Sequence, residues 1–570
     1  REAEQVARRD AIKRLASSLV AVGVGVAMSA IQYMPAAEYT PWSPRAAGLG
    51  YERATSFSFP IEELVNLYLP QFSGILGDYW GQNFIHFHSE YAGVAVLMLA
   101  GAAFGAATRD ATKRFVRFWI GAGVFALLWA FGGHTPFFKL IYAVVPMVKY
   151  MRAPSTIFFV TAFAIAVLAA VGTQRVLDRS VNRRYLIGWL IGSGVMTVLA
   201  LTGALSNIAS SLVQIPQLLE RVDSGASALR VGALRAFVFV AAAAAIIHLI
   251  GQGRLKTWGA CAALVLVCAA DLWSVERLYW RWGPSGSEMF ASDSTIEYLK
   301  RLPEPARVLT FEDGGQPVGA NDPYLNWDGL MAHEIRLMLG YHGNEIGRYQ
   351  LFGEQTMATN PTTWALTNTR FILTNNDSLD IPGGRRVVGP VRNSAGTMVS
   401  LYQLPGDNKF AWVAPAIVKY PDDQLAEQFR APNFPVHSIA LIDPASSTPA
   451  ADLTALPSPL DIVVKTTTYE PGRIGLTLSG PAPAGSALVV SENFYPGWVA
   501  TVDGVPSSVE RANYSLMAVA LPAGATKVDL TFTSPVYQRG KAITLMAIAM
   551  SIGWILVGAA MDRRKLGVSA

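Results

Sequence analysis

Charged residues and cysteines are both scarce in this sequence. Only 15% of the 570 residues are Asp, Glu, Lys or Arg, whereas 51% are hydrophobic. Soluble globular proteins carry about 25% charged residues, so a chain that meets water over its whole surface is excluded. The two cysteines, Cys261 and Cys268, lie on one predicted helix about 10 Å apart along its axis. That separation excludes a disulfide between them, and the long polar stretch of the chain must fold without one.

The short motifs of several large enzyme classes are also missing. The sequence has no GxxxxGK[ST] phosphate loop, no GxSxG nucleophile elbow and no CxxC pair. His333 and Glu334 begin the segment HEIRL, but no histidine follows at the spacing of a zinc protease. P-loop ATPases, hydrolases with a nucleophile elbow and HExxH proteases are therefore excluded.

Long apolar runs dominate what is present. A run of about 20 apolar residues is the length that crosses a bilayer as an α-helix. The sequence predicts eight such spans, and hence an α-helical polytopic membrane protein. The predicted spans are 15–34, 91–108, 115–132, 156–176, 185–205, 231–251, 257–275 and 541–561.

Lysine and arginine alternate between the loops that join these spans. They concentrate in every second short loop, for example in 109–117 and 175–184. Cytoplasmic loops keep such residues because Lys and Arg resist translocation. The pattern predicts both ends of this chain in the cytoplasm, and the loop 36–90 and the stretch 276–540 outside it. It also accounts for the net charge of +5 without a nucleic-acid partner.

The first part of the polar stretch, 276–442, is predicted to be an extracytoplasmic α/β domain. Strand-like runs alternate there with helical ones, such as DSTIEYLKRL, which Asp293 or Ser294 caps at its N-terminus. The membrane domain before it covers 1–275, and a Pro-, Ser- and Ala-rich linker at 443–460 follows it. The strand-like runs are RVLTF (307–311), RFILT (370–374) and VSLYQL (399–404).

Residues 461–538 change to a period of two, with turn residues at short intervals. This pattern predicts an extracytoplasmic β-sandwich. Asp503-Gly504 is predicted to form a hairpin turn in it. Tyr495, Pro496 and Trp498 are predicted to cap its core edge, with a sugar-binding aromatic platform as the alternative. Residues 539–570 are assigned to the last transmembrane helix and a cytoplasmic tail.

The block SENFYPGWVATVDGVPSSVERANYSLMAVALPAGATKVDLTFTSPVYQRGKAIT, residues 491–544, resembles the C-terminal region of the bacterial YfhO-like membrane proteins. In that family a serine-led YPGW…DG strand pair leads to a PAG turn, an aromatic-proline strand and a last membrane helix. Five further stretches resemble the same family. They are AIQYMPAAEYT (30–40), YWGQNF…EYAGVAVLML (79–99), VKYMRAPSTIFF (148–159), YHGNEIGRYQLF (341–352) and WALTNTRFILT (364–374).

This resemblance implies a fold like that of GT-C glycosyltransferases, which use polyprenyl-phosphate sugars on the outer leaflet of the bacterial plasma membrane. Such enzymes place a catalytic carboxylate in the first external loop. In YfhO-like proteins that loop precedes the equivalent of the first helix seen here. The chain also starts at Arg1, with REAEQVARRDAIKRLASS typical of a cytoplasmic loop entering a helix. We therefore expect further sequence upstream, with the family's catalytic Asp in it.

A transfer of this kind needs cations for the departing phosphate and a carboxylate that takes the acceptor's proton. Lys149 and Arg152 lie at the external end of the fourth predicted span. They are predicted to bind the donor phosphate, or else to act as interfacial anchors. Asp78 and Glu90 are the candidate carboxylates within this chain.

The loop 36–90 supplies two further candidate sites. Tyr79 and Trp80 are candidates for stacking on a sugar ring. His86, His88 and Glu90 alternate, so on a strand they share one face and could hold a divalent metal such as Mg²⁺ or Mn²⁺.

One acidic residue, Asp271, lies inside a predicted span. Acidic residues in lipid usually face a cavity or a partner. Asp271 is predicted to lie at headgroup level and to pair with Arg277.

The sequence thus favours a membrane glycosyltransferase-like protein, whose partners are membrane lipid, a polyprenyl-phosphate sugar donor and a glycan acceptor. The acceptor is a cell-surface glycopolymer or glycolipid. A non-catalytic accessory subunit that binds other membrane proteins is the first alternative. A transporter of lipid-linked saccharides is the second, and it predicts more charges inside the spans than this chain carries.

Overall fold

A computed structural model of the chain describes residues 2–83, 90–105, 110–315, 317–319, 322–325, 328–341 and 343–568. The chain divides into two compact units. The end unit consists of Arg1–Ala47 and Pro284–Ala570, and the middle unit consists of Gly48–Gly283.

The helices of both units are numbered here in chain order. They are α1 (Glu2–Met28), α2 (Ala30–Tyr39), α3 (Tyr51–Ala54), α4 (Val94–Ala102), α5 (Asp110–Ala130), α6 (Phe137–Val144), α7 (Phe158–Leu177), α8 (Arg183–Leu201), α9 (Ala204–Leu212), α10 (Leu219–Gly251), α11 (Thr257–Glu276), α12 (Gly286–Met289), α13 (Ser294–Lys300), α14 (Gln350–Gly353), α15 (Gln355–Ala358), α16 (Pro361–Leu366), α17 (Asp422–Gln428) and α18 (Pro535–Val568).

The strands all lie in the end unit. They are β1 (Arg307–Phe311), β2 (Arg336–Leu337), β3 (Thr369–Thr374), β4 (Arg385–Arg392), β5 (Met398–Gln403), β6 (Ala411–Ala414), β7 (Ile417–Lys419), β8 (Ala440–Ile442), β9 (Val464–Glu470), β10 (Arg473–Leu478), β11 (Ala487–Asn493), β12 (Trp498–Val502), β13 (Val505–Ser507), β14 (Glu510–Ala512), β15 (Leu516–Ala520) and β16 (Lys527–Phe532), within the ranges that the structure describes.

Six helices among the described residues are long and apolar enough to cross a membrane, and each overlaps a predicted span. The prediction of a polytopic membrane protein is confirmed. The predicted span 91–108 contains α4, which has 9 residues, and the span 115–132 overlaps α5, which has 21. Neither is among the six helices, which are Arg8–Met28, Pro154–Leu177, Arg183–Leu201, Pro216–Gly251, Thr257–Tyr279 and Pro535–Met561.

Close helix approach holds the middle unit together. A Cβ atom added at Gly172 of α7 would overlap the backbone oxygen of Leu99 in α4, so only glycine fits there. Thr161 of α7 donates to the oxygen of Gly123 in α5 at 3.0 Å. Small residues allow such backbone contacts between helices in lipid, where apolar burial alone does not drive association.

In the end unit, α18 packs against the junction of α1 and α2. The amide of Ile31 donates to Thr544 Oγ1 at 3.0 Å, and a Cβ at Gly540 would crowd the backbone of Ala30. The other faces of these helices are apolar and exposed, with Leu19 at 62% and Ile555 at 70% of their full accessibility. These faces therefore meet lipid.

Three sheets form in the described part of the end unit, with strand orders β2-β1-β3-β5-β4, β6-β11-β15-β14-β8-β7 and β13-β12-β16-β10-β9. Strand β1 pairs in parallel with β2 and β3, and helices precede it, so the first sheet is of α/β type. The second and third sheets contribute to one apolar core that contains Val490 and Met517 from one sheet and Leu476 and Val528 from the other.

The predicted linker at 443–460 is a coil between β8 and β9, but it does not separate the strands before it from those after it. Strands β6, β7 and β8 precede it, yet they lie in the same sheet as β11, β14 and β15. The domain boundary drawn at this linker is thus crossed by a sheet. Alternation within each run shows which residues are buried but not which distant strand each run will pair with.

Local signals placed several elements correctly. Asp293, one of the two predicted N-caps, accepts hydrogen bonds from the amides of Thr295 and Ile296 at the start of α13. Asp503 and Gly504 have φ values of 49° and 84° and join β12 to β13. Two successive positive φ values fit the hairpin turn that matches strand twist, and so the predicted hairpin is confirmed.

Candidate functional site

A cavity of about 560 Å³ lies in the middle unit beside the start of α7. One part of its lining is polar and includes Asn83, Glu90 and Ser155. The rest is mainly apolar and follows one face of α7, from Phe158 and Phe159 through Ala162 and Ile165 to Ala166. We call it the Glu90 cavity. A polar end joined to an apolar track suits a ligand with a polar head and a lipid tail.

Glu90 is 6% exposed, and its neighbours fix its place in the chain. Tyr91 donates a hydrogen bond to Asp271, and the amide of Ala92 donates to the oxygen of Leu67 at 3.1 Å. Helix α4 begins directly afterwards, with Gly93 at φ 83° before its first residue. The two residues that follow the buried carboxylate are therefore both held by hydrogen bonds.

The predicted phosphate-binding pair lies next to this cavity in sequence. Arg152 directly precedes Ala153, which lines the cavity, and its guanidinium lies 5.3 Å from the ring centre of Phe57. Lys149 is exposed, and its backbone oxygen accepts from the amide of Leu49 at 2.6 Å. Within the described ranges neither cation forms a salt bridge, and Lys149 Nζ lies 5.2 Å from the ring centre of Tyr150.

The backbone bends sharply at both ends of this basic segment. Met147 and Ala153 have φ values of 67° and 62°, a region that residues with a side chain rarely adopt. The amide of Ala153 donates to the oxygen of Ser56 at 3.0 Å and so ties the segment to the preceding loop. Residues held in this way cluster at binding sites, where the surrounding structure supports the strain.

Tyr79 and Trp80 are both inside the protein, 7% and 4% exposed. The Tyr79 hydroxyl donates to Glu63, and burial, reinforced by Glu63, raises the pKa of Tyr79. The Trp80 indole donates to the oxygen of Phe72 at 2.8 Å and packs against its ring. Both side chains are thus held inside the loop by hydrogen bonds, and stacking on a sugar stays a prediction.

Asp78 is exposed at the end of a short 3-10 turn and does not line the Glu90 cavity. It lines a different cavity, together with Arg235 and Arg277. The structure thus separates the two candidate carboxylates, and only Glu90 is placed beside the apolar track.

The predicted metal site rests on His86, His88 and Glu90, and both histidines lie outside the described residues. Among the residues that are described, no group of three or more His, Cys, Asp or Glu is placed to hold a metal ion.

Asp271 is fully buried, and its partners differ from the predicted one. It accepts hydrogen bonds from the Tyr91 hydroxyl and from the amide of Ala95, the latter at 3.0 Å. The carboxylate of Asp271 thus caps the start of α4. Its nearest cation is Arg235, at 3.8 Å, whereas Arg277 is exposed. The predicted Asp271–Arg277 pair is therefore wrong, because a residue 36 positions away on α10 reaches the carboxylate first.

In the end unit, the conspicuous SENFYPGW segment joins the first two sheets. Glu492 accepts from Arg307 at 3.0 Å and also from Arg336, with Tyr469 donating to it at 2.9 Å. Arg307 additionally donates to the oxygen of Ser491 at 2.8 Å. The serine and glutamate thus hold β11 against β1 and β2.

The aromatic residues that follow contact the end of α2 and the segment after it. Phe494 lies 5.9 Å from Trp42, and Tyr495 lies 5.8 Å from Tyr39, ring centre to ring centre. Burial, with Glu345 and Tyr495 nearby, raises the pKa of Tyr39 to about 12. This motif therefore fastens the β-rich region to the end of the first membrane helix pair.

The family model described as "Bacterial membrane protein YfhO" matches residues 459–544. The C-terminal region is YfhO-like. The predicted resemblance is confirmed in this YfhO-like region, which runs from the end of the linker into α18. A comparison with curated proteins gave no significant match.

Among solved structures, the chain matches the arabinofuranosyltransferase AftD from mycobacteria, determined by single-particle cryo-EM. The match has 12% identity and a TM-score of 0.20 and covers 78% of this chain and 48% of that one. A mutant form of AftD matches at 12% identity and TM-score 0.19, covering 78% and 49%. The chain thus spans about half the length of these proteins.

Sequence reasoning missed Arg235, which the structure places against Asp271 and the Tyr91 ring. The signal was present, because Arg235 interrupts the apolar run VGALRAFVFV of a predicted span. An ionisable residue within a membrane helix marks a functional position by default.

Proposed function

We propose that this chain belongs to a membrane glycosyltransferase. It would transfer a sugar from a polyprenyl-phosphate donor to a cell-surface glycopolymer or glycolipid on the extracytoplasmic side of the bacterial plasma membrane. The observation that carries this proposal is the Glu90 cavity, which combines a buried carboxylate with an apolar helix face and is lined by Ala153, the residue directly after Arg152. The YfhO-like region supports the same class of protein at the family level.

In this proposal the donor's prenyl tail lies along the apolar face of α7, where Phe159, Ala162 and Ala166 line the cavity. Its phosphate meets Arg152 and Lys149, which neutralise the charge that develops as the phosphate departs. Arg152 is the better suited of the two for a bidentate grip, because its guanidinium is planar.

The acceptor hydroxyl oxygen forms the new bond to the anomeric carbon while the bond from that carbon to the phosphate oxygen breaks. Polyprenyl phosphate leaves with the electron pair, and the hydroxyl proton must pass to a base. In this proposal the base is Glu90, which lines the cavity.

The test uses the natural protein in proteoliposomes that contain a polyprenyl-phosphate-linked radiolabelled sugar. We expect the paired change Lys149→Ala and Arg152→Ala to raise the donor KM about tenfold or more, since charge-assisted phosphate contacts are lost. The paired change Arg183→Ala and Arg184→Ala, which removes an exposed basic pair elsewhere, is the matched control. An unchanged donor KM would contradict the phosphate role.

The carboxylate is tested by Glu90→Gln, which keeps its size and removes its basicity. A general base contributes roughly 10²- to 10⁴-fold, so kcat should fall by that amount while donor binding persists. Glu52→Gln, at an exposed position of the same unit, is the control. Unaltered kcat in Glu90→Gln would contradict the role of Glu90 as the base.

A further inference from the structure

A second cavity in the middle unit, of about 520 Å³, shares no lining residue with the Glu90 cavity. Its lining is rich in arginine, and we call it the arginine cavity. The polar residues in the lining are Gln71, Asp78, Ser227, Arg235, Ser274, Arg277 and Arg281.

Arg235 is the most deeply placed of the three arginines, with its side chain 15% exposed. Its Nη1 donates to Ser274 Oγ at 2.8 Å and lies 3.8 Å from Asp271. Its Nε and Nη2 are buried and have no partner among the described residues. A buried donor without an acceptor is costly, and here two donors of one planar group are left open.

The charges of the lining residues also favour an anion as the ligand. Arg235, Arg277 and Arg281 bring three positive charges to one cavity, and Asp78 is the acidic residue in its lining. Asp271 lies near Arg235, but it is already bonded to Tyr91 and the amide of Ala95. An anion with several acceptor oxygens would satisfy the open donors and balance the excess of positive charge.

The position of the cavity indicates which kind of anion it would bind. Arg277 and Arg281 follow the membrane helix α11 and are exposed. Trp273, Trp280 and Trp282 in the same stretch are 53%, 54% and 88% exposed. Exposed tryptophans at the end of a membrane helix mark the headgroup level of the bilayer, where phosphates lie.

We propose that the arginine cavity binds a phosphate-bearing ligand at the membrane surface. Arg235 lies at its base, and Arg277 and Arg281 lie at its entrance. The planar guanidinium of Arg235 offers Nε and Nη2, the pair of donors that grips two oxygens of one phosphate. This site is independent of the transfer reaction proposed for the Glu90 cavity.

Binding is measured on the whole protein in detergent by native mass spectrometry. The probes are phosphatidylglycerol and diacylglycerol with identical acyl chains, each with and without inorganic phosphate as competitor. We expect phosphatidylglycerol to be retained more strongly than diacylglycerol, which lacks the phosphate. Competition by inorganic phosphate would mean that the site accepts free phosphate; resistance to it would mean that the ligand is a lipid headgroup. Equal retention of the two lipids, with no effect of phosphate, would overturn the proposal.

Substitutions in the arginine cavity test whether the lipid binds there. The paired change Arg277→Gln and Arg281→Gln should weaken retention about tenfold, whereas Arg254→Gln with Lys256→Gln, an exposed basic pair before the other end of α11, should leave it unchanged. Arg235→Lys keeps a charge beside Asp271 but lacks the planar fork, and we expect a similar loss. Equal effects of the two paired variants would refute the site. Sugar transfer is not part of this readout, so either proposal can fail without the other.

Discussion

The surroundings of His437 predict that the stability of the folded end unit depends on pH. Its ring packs 5.1 Å from the ring of Trp412, and its Nε2 is buried without a partner among the described residues. Burial lowers the pKa of His437 to about 4, with Lys409 adding to the effect and Asp407 opposing it. The folded end unit therefore holds this imidazole neutral well below the pH at which the unfolded chain protonates it.

The sign of the effect follows from linkage. Above pH 6.5 the imidazole is neutral in the folded and the unfolded state, so it does not change the free energy of unfolding. Between pH 6.5 and 4 the unfolded state binds the proton while the folded state does not. Stability should fall across that window, by about 2 kcal/mol at pH 5 for this residue alone. The measurement is urea unfolding followed by tryptophan fluorescence at pH 7 and pH 5. His437→Phe should show a smaller loss than the natural protein, and an equal loss in both would contradict the assignment.

Individual roles could be predicted where the partner is close in sequence. Asp293 caps a helix through amides two and three residues away, and Asp503-Gly504 forms a turn by itself. Asp271 and Glu492 depend on partners at Arg235 and at Arg307, which only folding brings near. For such residues the sequence shows that a partner is needed but not which one it is.

At the scale of helices, the contact between α4 and α7 depends on a residue without a side chain. Adding one methyl at Gly172 would place it on the backbone oxygen of Leu99. We expect Gly172→Ala to destabilise the middle unit by about 1–3 kcal/mol, the usual cost of overpacking. The measurement is the thermal midpoint in detergent. Gly188→Ala in α8 is the matched control, because nothing lies within 4 Å of the added atom.

That control should behave in the opposite way. Alanine favours a helix over glycine by about 1 kcal/mol, so Gly188→Ala should leave the midpoint unchanged or raise it. A drop of the same size in both variants would show that the close approach of α4 and α7 is not what makes Gly172 sensitive.

Elements were easier to predict than their arrangement. The strands RVLTF, RFILT and VSLYQL appear as β1, β3 and β5 within about one residue of their predicted bounds. Their alternation and β-branched residues are local signals. The second sheet, which takes strands from both sides of the linker, depends on pairings between distant residues and left no such local signal.

At the scale of the whole molecule, the alternation of basic loops remains a prediction about orientation. If residues 276–540 are extracytoplasmic, trypsin added to intact spheroplasts should cut at exposed sites such as Arg385 and Arg386 on β4. The same protease added to inverted vesicles should instead cut near the exposed Arg179 and Arg183. The fragments are identified by mass. Cleavage at Arg385 in sealed inverted vesicles would reverse the topology.

Composition alone was enough to predict the membrane class, since length and hydropathy decide which helices cross a bilayer. Composition did not predict the candidate cavities. Glu90 lies at the cavity because α4, α7 and the loop before them converge, and the arginine cavity joins residues from α10, α11 and the loop near Gln71. Such convergence is a property of packing rather than of any one stretch of sequence.

The pairing of α18 with α1 and α2 has a consequence for the order of assembly during synthesis. Ile31 and Thr544, which join these helices, are 513 positions apart. A ribosome that adds about 5–20 residues per second needs roughly 25–100 s to make the chain between them. The middle unit has left the ribosome long before α18 exists, so it can assemble first. Until α18 is synthesised, the face of α1 that packs against it remains uncovered in the membrane.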